Sequence, residues 1–232
     1  MIHIQDFTFN AFQERCSLVW DDEGFCAVVD PGYTDGERSQ LIDFITSGNL
    51  QPVCVMLTHG HFDHIYGMSA LAATYKIPVH ADMKEMYSVD VTNRQLCSQF
   101  GFPMPDEYPI IRTSQNMNAG SRAEWVMDGD FIDIGSLRFD VLSTPGHSKG
   151  GLCFLERNEK VLFSGDTLFA GAIGRTDHPG GDYDVMMKSI FEKLLLLDGE
   201  TRVLPGHGPS SDISTERMTN PFLMPFNEPY ED

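Results

Sequence analysis

Thr58-His59-Gly60-His61-Phe62-Asp63-His64 follows an apolar run at residues 53–57 and precedes a helical pattern. Four metal-binding side chains within six positions exceed what packing explains. Imidazoles suit zinc, and carboxylates add the charge that holds a further cation. His59 and His61 are two apart in an extended segment, so their side chains point the same way. Gly60 permits the bend between them. Asp63 and His64 open the next helix and face a neighbouring position. The spacing therefore offers one metal His59 and His61, and a second metal Asp63 and His64.

Outward from this cluster the chain alternates strand blocks with helices. Short β-like runs cover residues 2–9, 16–20 and 25–29, and Asp30-Pro31-Gly32 breaks the last with turn chemistry. A helix is expected over about 36–47, with Asp35 as its cap and Gly48 at its end. The run 53–57 reads as a buried strand. Residues 83–127 are less periodic, hold two short helices and a Pro-rich stretch (Phe102-Pro103-Met104-Pro105), and read as an excursion beside the site. Strands resume at 130–134, 137–142, 152–155 and 161–164. An amphipathic helix is expected over 182–197 and a last strand at 203–204. The tail after Asn220 reads as irregular, with Phe222, Phe226 and Tyr230 available to pack back or to meet another copy. Two packed sheets with helices outside satisfy this order, one sheet from each half of the chain.

Three more candidate ligands sit at strand ends beside glycine. They are His147 in Thr144-Pro145-Gly146-His147, Asp166 in Ser164-Gly165-Asp166-Thr167, and His207 in Pro205-Gly206-His207-Gly208. Loops at sheet ends are where a rigid scaffold presents functional groups. Seven candidates are too many for one zinc and suit two divalent ions sharing a carboxylate. His80, His3 and His178 read as non-ligands, although His178 sits near the site. Asp30 is either a turn former or an acceptor that orients a ligand histidine.

The 232 residues fit one large α/β domain or two small ones, and the reading adopted is a single domain over 1–232. A formal net charge of −18 repels phosphate backbones and anionic membranes, which argues against nucleic-acid and membrane partners. No segment approaches the apolar length that spans a bilayer. The cysteines at 16, 26, 54, 97 and 153 are odd in number and include no Cys-x-x-Cys. Buried free thiols and an N-terminus without a signal-peptide pattern lead to a cytoplasmic expectation.

Taken together, the 58–64 motif with His147, Asp166 and His207 resembles the metallo-β-lactamase superfamily over about residues 30–207. The resemblance implies a four-layer αββα sandwich with a metal site at one edge of the two sheets. Within the superfamily the chain is most similar to glyoxalase II-like (hydroxyacylglutathione hydrolase-like) enzymes of the single-domain branch. Ser164-Gly165-Asp166-Thr167-Leu168-Phe169 resembles their bridging-aspartate motif, and 171–181 resembles the small branch. The resemblance implies that His59, His61 and His147 hold one metal. Asp63, His64 and His207 hold the other, and Asp166 is shared. Arg175 falls near where a basic substrate-binding residue is expected. Metallo-β-lactamases proper often carry a cysteine where this chain has Asp166.

The implied activity is hydrolysis of a thioester such as S-lactoylglutathione by water activated between two divalent ions, with zinc first and iron or manganese as alternatives. Asp63 and Asp166 are the candidate catalytic carboxylates. A thiol leaving group with a pKa of about 8.5 needs no strong general acid. Rival readings on the same scaffold are a persulfide dioxygenase with one iron on His59, His147 and Asp166, and a lactonase or another small-substrate hydrolase. The acyl group, the thiol carrier and the oligomeric state stay open at this point.

Overall fold

The computed structural model describes residues 1–104 and 122–224, apart from the side chains of residues 89 and 90. Pro105, Phe226 and Tyr230, which figure in the expectations above, lie outside the described residues. Two six-stranded sheets pack face to face. The first takes β1 (His3–Phe9), β2 (Glu14–Trp20), β3 (Phe25–Val29), β4 (Gln51–Met56), β5 (Val79–Ala81) and β6 (Ala123–Trp125) in sequential order. Pairing is antiparallel from β1 to β3 and parallel from β3 to β6.

The second sheet contains β7 (Phe131–Ile134), β8 (Leu137–Ser143), β9 (Leu152–Glu156), β10 (Val161–Gly165), β13 (Arg202–Pro205) and β14 (Ser211–Asp212). Its order is β14-β13-β10-β9-β8-β7. A small hairpin, β11 (Leu168–Phe169) with β12 (Ala172–Ile173), follows Asp166. Each half of the chain thus supplies one sheet, as the patterning implies.

Side-chain alternation along the strands makes the layers. Ala27 and Val29 of β3 and Cys54 and Met56 of β4 meet Phe139, Val141, Phe154 and Phe163 between the sheets. Their neighbours Val28 and Val55 face outward against Leu41 and Ile45 of helix Arg38–Ser47 and Leu71 of helix Met68–Tyr75. On the far side, Leu155 and Leu162 pack on Met186 and Ile190 of helix Tyr183–Glu192. Both faces of β4 and β10 are covered, so residues 53–56 and 161–163 read as apolar runs. This is the αββα arrangement. All five cysteines are free and buried. Among the described residues, no helix is long and apolar enough to cross a membrane.

Three local expectations are corrected. Asp35 does not cap the first helix, which starts at Arg38 after Glu37. The Glu37 carboxylate instead accepts from the Thr34 amide and hydroxyl and from the Asn10 amide, and so ties the helix entry to the β1–β2 turn. The expected 182–197 helix stops at Glu192, because Lys193 leaves helical geometry (φ −124°, ψ −60°). A 3₁₀ turn, Leu194–Leu196, then buries Leu194 and exposes Leu196. Finally, β14 and helix Ile213–Thr219 follow the strand that was expected to be last. Asp212 caps that helix by accepting from the Thr215 amide.

Candidate metal centre

The sequence-identified ligands converge where several strands end on one edge of the two sheets. Asp30 leaves β3 with φ +49°, a left-handed conformation that aspartate tolerates better than most side chains. This bend lets Asp30 Oδ1 accept from the Thr58 amide at 2.7 Å. Its Oδ2 accepts from the Thr58 hydroxyl at 2.5 Å and from His64 Nδ1 at 3.0 Å. Residues 58–61 continue from β4, and helix Phe62–Ile65 presents Asp63 and His64. Asp166 follows β10 and His207 follows β13, which run parallel with Gly165 opposite Pro205. Gly206 has no room for a side chain. A Cβ there would lie 2.4 Å from Asp166 Oδ1 and 2.7 Å from His64 Cε1.

Two groups of three ligand atoms, each group within 4.8 Å, emerge: His59, His61, His147 and Asp63, His64, His207. Asp166 lies between them. Its carboxylate is 3.5 Å from His147 Nε2, 3.6 Å from His64 Nε2 and 3.6 Å from His207 Nε2. The seven residues singled out from sequence are therefore brought together, in two groups with Asp166 between them. Asp30 with His59 and His64 forms a third such group. Its oxygens are taken by Thr58 and His64 Nδ1, which suits the orienting role.

The hydrogen bonds of the imidazoles test whether this cage suits a cation. His147 Nδ1 donates to the Arg175 carbonyl at 2.8 Å, and His207 Nδ1 donates to the Phe12 carbonyl at 3.0 Å. His64 Nδ1 donates to Asp30. The Thr58 hydroxyl spends its hydrogen on Asp30, so it accepts from His59 Nδ1 at 3.0 Å. Each ring is thereby held as the tautomer with its Nε2 lone pair free. His64 Nε2 and His207 Nε2 then face each other at 3.2 Å, and His147 Nε2 faces His61 Nδ1 at 2.8 Å. His59 Nε2 and Asp166 Oδ1 are buried without a hydrogen-bond partner. Such orphaned acceptors are costly unless a cation satisfies them. The donor set fits divalent metal.

Charge follows the same logic. Burial pushes the His59 and His61 imidazoles well down, aided by the other histidines, and takes His147 down to about 4. Burial works against charge at His64 too, but Asp63, Asp166 and Asp30 outweigh it and push His64 up. Burial likewise opposes ionisation of Asp166, yet His64, His207 and His147 hold it below the ordinary carboxylate range. Burial raises Asp63.

The cluster opens into a cavity of about 360 Å³. Phe12, Phe62, Leu96, Phe100, Phe169 and Ile173 supply its apolar lining, and Arg175 and His178 also line it. Arg175 pairs with exposed Asp177. His178 sets its ring edge-on to His61 and His147 but belongs to neither ligand group. His80 lies 3.7 Å from Glu124, and His3 bonds Asp22 at the surface, so both stay away from the site.

Sequence reasoning missed the groups that hold the ligands. Asn10 donates to the Asp63 carbonyl at 2.9 Å, and Phe12 supplies the acceptor for His207. Glu85 and Asn93, in the 83–127 excursion, grip the backbone around Gly60. None carries a spacing signal.

Comparison with known proteins gives the family of the chain. The family model of the metallo-beta-lactamase superfamily matches residues 10–207. A hydroxyacylglutathione hydrolase, GloC of Haemophilus influenzae, is 34% identical over 223 residues, covering 96% of this chain and 98% of that protein. The crystal structure of BLEG-1 B3 metallo-beta-lactamase superposes with a TM-score of 0.82 at 33% identity, over 96% of this chain and all of the other. TTHA1623, solved in a di-iron-bound form, superposes with a TM-score of 0.78 at 31% identity, over 94% of this chain and 100% of that one. The chain belongs to the metallo-beta-lactamase superfamily and is a metallo-hydrolase of that family.

Proposed function

We propose that the chain is a binuclear metallohydrolase that cleaves thioesters, with an acyl-glutathione of the lactoyl type as the leading substrate. The observation that carries this reading is the pair of ring nitrogens, His64 Nε2 and His207 Nε2, facing each other at 3.2 Å beside Asp166, at the foot of an apolar cavity. The similarity to a hydroxyacylglutathione hydrolase supports the substrate class.

His59, His61 and His147 would hold one ion, Asp63, His64 and His207 the other, and Asp166 both. When bound, the ions supply Lewis acidity and make water acidic enough to ionise near neutral pH. The protein's own part is positioning. The Nδ1 hydrogen bonds fix the rings, and the carboxylates of Asp63 and Asp166 bring the negative charge that offsets two cations. The aromatic walls exclude bulk water and seat an acyl chain. Arg175 offers a cation to the anionic part of the thiol carrier. No side chain is required to protonate the departing thiolate. Zinc is the proposed metal. Iron is the second choice, because a similar protein was solved with two irons.

The test is elemental analysis of purified protein, followed by a panel of an acyl-glutathione, a lactone, a β-lactam and glutathione persulfide under one set of conditions. Thioester turnover that is lost on chelation and regained with metal supports the proposal. Oxygen uptake with the persulfide on a single iron, or turnover of the β-lactam alone, overturns it.

A further inference from the structure

Gly60, His61 and Phe62 leave β4 and pair with no strand, so their backbone groups must find partners elsewhere. Two fully or nearly fully buried side chains from the 83–127 excursion supply them. Glu85 is 1% exposed and Asn93 is 0% exposed. Glu85 Oε2 accepts from the Gly60 amide at 2.7 Å, Asn93 Nδ2 donates to the Gly60 carbonyl at 2.8 Å, and Asn93 Oδ1 accepts from the Phe62 amide at 3.0 Å. The peptides on either side of His61 are thus gripped from one direction. The other oxygen of Glu85 reaches across to the loop of the second sheet and accepts from the Gly150 amide at 2.6 Å. Gly150 stands three residues after His147. One carboxylate therefore joins the loop that carries His59 and His61 to the loop that carries His147.

The opposite cluster uses different supports. Asp30 holds His64, Asn10 bonds the Asp63 carbonyl, and the Phe12 carbonyl holds His207. Neither Glu85 nor Asn93 bonds any residue of that cluster among the described contacts. We infer that Glu85 and Asn93 form a clamp whose bonds act on the position of His59, His61 and His147, while Asp30, through Thr58 and His64, supports both positions. The inference rests on the two-ion reading above.

A carboxylate is the acceptor this place demands. Both of its oxygens meet backbone N–H groups, and a Gln would turn an NH₂ toward one of them. Removing a group that orients metal ligands typically lowers metal affinity about 10- to 100-fold.

The experiment is zinc titration of metal-free protein, read by calorimetry and elemental analysis. It compares wild type, Glu85→Gln, Asn93→Ala, His61→Ala and His207→Ala, with folding checked by circular dichroism. Glu85→Gln and Asn93→Ala should each weaken one of the two sites about 10- to 100-fold and leave the other as in wild type, matching His61→Ala in which site is affected. Glu85→Gln combined with His207→Ala should retain no tight site. Excess zinc should restore kcat in Glu85→Gln, because only affinity has fallen. Equal loss at both sites, or two sites of wild-type affinity in both clamp variants, would overturn the clamp. A wild-type chain that binds fewer than two ions would overturn the two-ion reading, and the clamp with it.

Discussion

His64 Nε2 lies 3.2 Å from His207 Nε2, although each ring has already committed its Nδ1 hydrogen, one to Asp30 and the other to the Phe12 carbonyl. Two lone pairs held this close repel unless a proton or a metal ion lies between them. Chelation should therefore lower the melting temperature, and readdition of metal should restore it. At a hundredfold excess over the dissociation constant the gain is about 2.7 kcal/mol per site. A melting temperature indifferent to chelator would contradict the fit of the cage.

His61→Ala should abolish metal-dependent turnover and leave a folded chain. Its ring lines the cavity, and its Nδ1 sits 2.8 Å from His147 Nε2. Full activity with normal metal content would remove His61 from the site.

Asp166→Ala deletes the one carboxylate that, among the described residues, lies within 3.6 Å of histidines from both clusters. The metal count per chain should fall from two towards one. Unchanged stoichiometry by elemental analysis would count against a shared ligand.

Gly206→Ala makes a steric test of the same place. The added Cβ would sit 2.4 Å from Asp166 Oδ1 and 2.7 Å from His64 Cε1. Asp166 must move, so metal affinity should drop while the secondary structure persists. Wild-type zinc binding in this variant would show that Asp166 can shift without consequence.

The pH dependence of the metal-free chain can be isolated at His147. Burial lowers its imidazole to about 4, against about 6.5 in an unfolded chain. Between those values the unfolded chain binds the extra proton, so this group's contribution is present above about 6.5 and is lost as pH falls towards about 4. Urea unfolding at several pH values should show wild type losing stability relative to His147→Asn across that window. A constant difference would mean that the ring is not desolvated.

Much of this was legible along the chain because strand alternation and ligand chemistry are local properties. Val28 and Val29 face opposite layers by pleat alone, and residues 59–64 crowd four metal-binding side chains into six positions. The lengths of the elements were less legible. The first helix starts after Glu37 and not after Asp35, and the Glu37 carboxylate meets the Asn10 amide of the β1–β2 turn, a contact between residues 27 apart. Lys193 ended the amphipathic helix where Leu194 could reach the core.

What residue order determined by itself was the inventory: seven potential ligands at strand ends, and two sheets to carry them. Tertiary structure alone decided how each ligand is aimed. The acceptor for His207 lies 195 residues away, that for His64 lies 34 away, and the carboxylate under Gly60 lies 25 away. The tautomer of a ring depends on which acceptor its second nitrogen meets, and that meeting exists only in the folded chain; for His207 it requires the two sheets to have closed on each other.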